Sequence, residues 1–303
     1  MAITLTEVAK AQQNEMVKKY VNVLATEFPI QTLLGVDTIT GFRKPVTIMS
    51  TLPTVNPRAI NAAFTASNAA HDTYDIYWKN YGGDFSIDTA LQAGDPAHAG
   101  KQSLAFVQAI AKQVAKQTFE GTGTDQMVGI KDYLTAFFAG QIINAGTTAS
   151  GDLLTVAMLE DLVDKVAGGN RAIFLSKKVR QRLNALLRAT SSLSEGRDQF
   201  GVPVTFFNQI PVYIMEDNND GTDVLSITEI DGAATNSDTS SVYCLNLDEN
   251  GVRAFGPDSG LINAKTISNV TNADISNFEL FYAISLDQQR AAARLRYVKQ
   301  AVA

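Results

Sequence analysis

One thiol and two imidazoles bound the covalent chemistry open to this sequence. Cys244 is its only cysteine, and His71 and His98 its only histidines. A nucleophilic cysteine or serine needs a nearby histidine that is itself oriented by a carboxylate. His71 falls in a segment poor in large apolar residues and His98 at the start of a long helical pattern, and neither belongs to a GxSxG-type elbow. Cys244 follows Val242-Tyr243 in a strand-like run, which predicts a buried core thiol. A soluble α/β enzyme using Cys244 is the alternative from a different class.

Other chemistry is equally thin. The acidic run Glu216 to Asp223 has glycine at its sixth position, Gly221, as a calcium loop does. Its twelfth position is Ile227, where a bidentate glutamate is needed, so a solvated turn is expected. Gly121-Thr122-Gly123 lacks the Gly-Lys-Ser/Thr end of a phosphate loop and reads as a helix stop. No catalytic residue, cofactor or metal site is expected. The basic series Lys177, Lys178, Arg180, Arg182 and Arg188 reads as a solvated helix face, or one that meets DNA or a neighbour's carboxylates. Lys10, Lys18 and Lys19 offer the same choice nearer the N-terminus.

The elements that must carry these residues follow from periodicity. Val17, Tyr20, Val21 and Leu24 make a narrow stripe at helical spacing in an arm over residues 1–28. A helix with so narrow a stripe, at a terminus, packs on something outside its own domain. Residues 36–93 turn strand-rich, and Thr47–Leu52 faces Thr73–Trp78 as a hairpin. The intervening Pro53–Asp72 exceeds the roughly 12–15 residues of an ordinary loop and has little apolar bulk, which predicts a projecting flap. Trp78 reads as a core anchor or an anchor on a neighbouring subunit. Gly82-Gly83-Asp84 is expected to break the chain before a short strand, Phe85–Asp88.

Asp95-Pro96 then opens a helix over 97–120, about 36 Å long, with Leu104, Val107, Ala111, Val114 and Thr118 facing inward and Phe106 and Ile110 widening the stripe. Residues 129–138 read as a connector. A helix at 154–166, a buried strand at 172–175, a helix after Ser176 and strands at 202–207 and 212–215 describe an α/β layer. Asn208-Gln209-Ile210-Pro211 makes a turn. Residues 278–286 alternate as a strand, and 290–297 do so with Arg290, Arg294 and Arg296 on the polar side. A helix is the competing reading of that last stretch, and the strand is preferred.

Composition sets the remaining limits. The 303 residues are 45% hydrophobic and carry 25 basic and 31 acidic groups, a net charge of −6. That balance does not fit a sequence-specific DNA reader with its basic stripe. Apolar runs fall far short of the roughly 20 residues that cross a membrane, and the N-terminus has no secretory pattern. A lone cysteine fits a reducing compartment.

Several phrases in this order resemble the major capsid proteins of tailed double-stranded DNA bacteriophages. They are Pro29-Ile30-Gln31-Thr32-Leu33-Leu34, then Leu52-Pro53 with Arg58-Ala59-Ile60-Asn61-Ala62-Ala63-Phe64, then Gly82 to Asp88 ahead of the long helix. Arg171 to Arg180, Gly196 to Gly201 with Ile210-Pro211-Val212, and Arg290 to Leu295 complete the series. The resemblance lies in their order and spacing over nearly the whole chain. It implies an α+β, tailed-phage (HK-97-like) capsid fold: an N-terminal arm (1–35), an extended loop (36–93), a peripheral domain (94–150 and 271–303) with spine helix 97–120, and an axial domain (151–270). It implies a shell of hexamers and pentamers around double-stranded DNA, bound on the inner face without sequence specificity, in a virion assembled in the bacterial cytoplasm. Implied partners are further copies of the chain, a separate scaffold protein, a portal and a decoration protein. Val17, Tyr20, Leu24, Arg58, Phe64, Trp78, Lys177, Lys178 and Arg180 become the expected inter-subunit contacts. Residues 45–78 hold no lysine, so the lysine cross-links of some members are not expected. A nanocompartment or gene-transfer shell is the nearest alternative.

Overall fold

The computed structural model describes residues 3–4, 18, 23, 28–95, 97–189, 194–197, 203–216, 223–235, 237–270 and 273–300. The Val17, Tyr20 and Leu24 stripe lies outside them. Three sheets organise the described residues. The first runs in the order β1 (Ile3–Thr4), β2 (Gly35–Ile39), β13 (Val252–Pro257), β15 (Ala273–Leu286), β14 (Ile262–Val270), with β5 (Lys79–Asp88) also paired to β15. The second runs β6 (Ile142–Asn144), β16 (Ala292–Lys299), β12 (Thr239–Asn246), β8 (Arg171–Leu175), β11 (Ile210–Ile214), β10 (Pro203–Phe207), β9 (Ser194–Arg197), with β7 (Asp152–Leu153) on β16. The third is the isolated hairpin β3 (Arg43–Thr51) with β4 (Ala70–Tyr77).

Alternation along the second sheet divides the core. Successive strand side chains point to opposite faces. Ala172, Phe174, Tyr243 and Leu245 therefore join one cluster with the first sheet and the long helix. Ile173, Leu175, Val242 and Cys244 join the other, which the two helices of the outer layer cover. Those helices are α5 (Val156–Lys165), burying Leu159, Leu162 and Val163, and α6 (Lys177–Ala189), burying Val179, Leu183 and Leu187. Thr155 caps α5, its hydroxyl accepting from the amide of Met158. Ahead of them in the chain come α1 (Pro29–Leu33), α2 (Thr89–Gly94), α3 (His98–Glu120) and α4 (Ile130–Phe137).

The long helix α3 starts where Asp95 takes the Ala97 amide on its carboxylate and ends at Gly121. A Cβ at Gly121 would meet the Met127 carbonyl oxygen at 2.2 Å, so the tight return to α4 excludes a side chain there. The buried stripe is the expected one, broadened: Val107, Ile110, Ala111, Val114 and Thr118 are buried, Ala115 and Phe119 join them, and Leu104 alone of the expected inward positions is exposed, at 39%. α1 docks against α3, with Gln31 donating its side-chain amide to the Ala111 carbonyl at 2.9 Å.

Several local expectations are corrected. Gly82 and Gly83 do not break the chain: β5 runs through them in register with β15, Gly82 opposite Glu279 and Gly83 opposite Phe278. Gly82 is needed for close approach, since a Cβ there would lie 2.0 Å from the Phe278 carbonyl oxygen. The expected connector at 129–138 is helix α4, which buries Ile130, Tyr133 and Leu134. The turn at 208–211 contracts to Asn208-Gln209, both at positive φ, as a two-residue hairpin turn requires, and Ile210 and Pro211 belong to the strand. The final stretch is the preferred strand, β16. β13 and β14 pair with β15 in the first sheet, and β16 lies inside the second.

Candidate assembly surfaces

The hairpin β3–β4 is the largest element with no sheet of its own to join. Its strands pair from Arg43 opposite Tyr77 to Thr51 opposite Ala70. Arg43 and Asp75 close the base with a 2.7 Å ion pair. Only Val46, Ile48 and Ile76 of the hairpin are buried. Beyond Thr51 the chain runs without helix or strand to Ala69, exposed almost throughout. Leu52 is 71%, Val55 87%, Ile60 93% and Phe64 70% exposed. Burying such side chains is worth about 1.5–3 kcal/mol each, and this chain leaves that gain unused.

The flap tip is nonetheless shaped. Asn61 sits at φ +68, and the Arg58 guanidinium donates to the Ala62 carbonyl at 2.7 Å and lies 5.0 Å from the Phe64 ring centroid. The Thr54 amide donates to the Ser67 hydroxyl at 2.9 Å, joining the two arms. Arg58 and Phe64, expected as separate contact residues, thus form one exposed cation–aromatic unit.

The base of the hairpin is held by polar contacts that the sequence does not advertise. The Lys44 ammonium lies 3.3 Å from Asp37, 3.2 Å from Asp287 and 3.0 Å from the Ser285 hydroxyl. Arg253 reaches the other Asp37 oxygen at 2.5 Å. Two cations and two carboxylates therefore balance where β2, β3, β13 and the end of β15 meet. The Tyr74 hydroxyl donates to the Leu286 carbonyl at 2.6 Å while its ring stacks on Phe137 at 4.7 Å. Trp78 donates to the Gly41 carbonyl, stacks on Phe42 and meets Phe281 edge-on, each ring pair 5.1 Å apart. Phe42 beside it is 73% exposed.

On α6, Lys177 pairs with Glu216 at 3.1 Å and its amide donates to Asp223, whose carboxyl is pushed up, first by burial. Lys178 is exposed and Arg180 half-buried. Glu216 and Asp223 bridge the mouth of the acidic turn, whose interior lies outside the described residues. Among the described residues no group of three or more His, Cys, Asp and Glu could hold a metal ion.

Cys244 lies in the middle of β12, fully buried, facing the cluster under α5 and α6. Burial pushes its thiol up to about 12, with Arg171 opposing weakly. His71 is on the exposed hairpin and His98 on the first turn of α3. A buried, protonated thiol is not a nucleophile. A second buried group escaped the alternation argument. Arg294, expected on the polar side of its strand, is 5% exposed and held by Glu229 at 2.9 and 3.1 Å and by the Ser241 hydroxyl at 2.9 Å. Lys131 stands 3.6 Å from the same Glu229. No sequence pattern marks Glu229 as its partner, 65 residues away.

No protein-family model and no curated protein sequence matches this chain. Solved structures do. The SrpI encapsulin complex of Synechococcus elongatus superposes with a TM-score of 0.64 at 10% identity, over 95% of this chain and 90% of that one. The capsid of cyanophage A-1(L) gives 0.64 at 12% identity over 90% and 93%, and the capsid of a native GTA particle 0.58 at 11% over 89% of each. The chain has an α+β fold of the capsid and encapsulin type.

Proposed function

We propose that this chain is the major capsid protein of a tailed phage, self-assembling into hexamers and pentamers that form an icosahedral shell around a double-stranded DNA genome. The observation that carries the reading is the flap: a structured tip with four large apolar side chains exposed, on a stem locked to the body by the Lys44 cluster. In a shell that surface is covered by a neighbouring copy. Many weak contacts per subunit then act together through high effective concentration. In this reading the arm is 1–35, the extended loop 36–93, the peripheral part 94–150 with 271–303, and the axial part 151–270, with β16 passing into the axial sheet. Val17, Tyr20 and Leu24 on the arm and Arg58 and Phe64 on the flap meet neighbours. Lys177, Lys178 and Arg180 form a further contact.

Assembly takes place in the bacterial cytoplasm on a separate scaffold, with a portal at one vertex and a decoration protein outside. The mature shell lacks lysine cross-links through the loop. Replacing residues 52–69 by a two-residue Asn-Gly turn tests the reading. The shortened chain should keep its fold and lose assembly, and unchanged particles from it would refute the role given to the flap.

A second reading shares every contact and differs in cargo. A nanocompartment is favoured by the SrpI encapsulin superposition, which covers 95% of the chain at the same TM-score as the cyanophage capsid. Nuclease-protected double-stranded DNA inside native particles supports the phage reading, and a protein cargo without DNA supports the nanocompartment.

A further inference from the structure

The outer helical layer of the second sheet carries opposite charge on its two flanks. α6 has five basic residues and no acidic one, and α5 has three acidic residues against a single lysine. Glu160, Asp161 and Asp164 are exposed on α5, and Lys178 and Arg188 on α6. α5 rests on β16 and β12, whereas α6 leads out of β8 into β9, the edge strand at the far end of the sheet, and its Arg182 reaches toward α5, donating to the Leu154 carbonyl just ahead of it. Among the described residues no ion pair joins the two helices; the one seen for α6 is that of Lys177 with Glu216.

We propose that these flanks are the two halves of a head-to-tail contact, α6 of one copy against α5 of the next. The inference rests on the shell reading and names its partner surface. A contact between two different patches of one chain repeats around an axis and closes into a ring when the rotation allows. Opposed charge fixes which flank meets which and in what register, and penalises the reversed pairing. A nucleic-acid phosphate would satisfy α6 but leave the acidic flank without a role. α6 also has no aromatic residue on which a base could stack.

Three variants of the full chain test this: Lys178→Glu with Arg188→Glu, Asp161→Lys with Asp164→Lys, and all four together. All four positions are solvent-exposed, so circular dichroism should report an unchanged fold. Light scattering should show the assembled fraction falling about tenfold or more in each two-site variant at ordinary salt, and recovering in the four-site variant. The contact is refuted if both two-site variants assemble as the parent does, or if the four-site variant is no better than either. Normal assembly of the Lys178→Glu, Arg188→Glu chain with loss of retained nucleic acid would overturn it in favour of phosphate binding. A parent chain that never assembles would instead overturn the shell reading, and this contact with it.

Discussion

The ammonium of Lys44 lies 3.2 Å from the carboxylate of Asp287, although 243 positions separate them in the chain. With Asp37, Arg253 and Ser285 this pair fixes the hairpin stem to the junction of β2, β13 and β15. Replacing Lys44 by methionine keeps the aliphatic stem and leaves Asp287 without its cation. Because the Lys44 side chain is 19% exposed and that of Asp287 25%, the cost should be modest, about 1–2 kcal/mol. Hydrogen exchange should speed up in residues 43–51 and 70–77 ahead of the rest of the protein. Uniform exchange rates, or no change at all, would show that Lys44 is not the latch.

The Arg294–Glu229 pair is more deeply buried, with side chains 6% and 7% exposed. Removing one partner of such a pair strands a charge, at about 3–5 kcal/mol. Arg294→Met should therefore lower the denaturation midpoint sharply, and adding Glu229→Gln should restore much of the loss. Lys131 at 3.6 Å softens the first effect. Additive losses in the double variant would contradict the coupling.

Gly82 is the strongest test of the β5–β15 register. Alanine there must displace the Phe278 carbonyl, 2.0 Å from the new Cβ, and should cost about 2–3 kcal/mol. Gly83→Ala, whose Cβ would meet the Phe106 ring at 3.5 Å, should cost much less. Equal effects at the two positions would contradict the pairing.

Alkaline pH should unfold the protein cooperatively. Burial pushes Cys244 from 9.0 up to about 12 and Tyr81 from 10.0 up to about 12, and raises Tyr74, Tyr133, Tyr243 and Tyr282 above the ordinary phenol range. The unfolded chain releases these protons first. Their contribution is therefore intact below pH 9 and is lost as pH rises from 9 through 12, at about 1.4 kcal/mol per pH unit for each group in its window. Thermal midpoints measured between pH 7 and 11 should be flat and then fall. In parallel, Cys244 should resist thiol reagents until the chain unfolds, and rapid labelling of the native protein at pH 8 would contradict its burial.

What the sequence disclosed and what it hid divides by the range of the interaction. The period-two pattern of 278–286 and 290–297 marks β15 and β16, and the spacing of Leu159, Leu162 and Val163 marks α5, because burial of one face imprints a local period. The flap was legible from a segment too long for an ordinary loop between two β-rich arms, whereas the exposed apolar set Leu52, Val55, Ile60 and Phe64 on it was not. Gly82-Gly83 was misread because a glycine that stops a strand and one that lets another backbone close in look alike without the partner strand. Arg294 lies on the face opposite Ala293 and Leu295, as the alternation had it, but its burial was hidden because its partner Glu229 lies 65 positions away and local alternation carries no word of it. The Lys44 cluster was hidden for the same reason, its members drawn from four separate strands or their ends.

The most direct test of the shell assignment is negative-stain electron microscopy of the expressed full chain, alone and with a scaffold protein, read beside light scattering. Uniform closed particles, or rings of five and six subunits, are expected. A monodisperse monomer or dimer in every condition would contradict it.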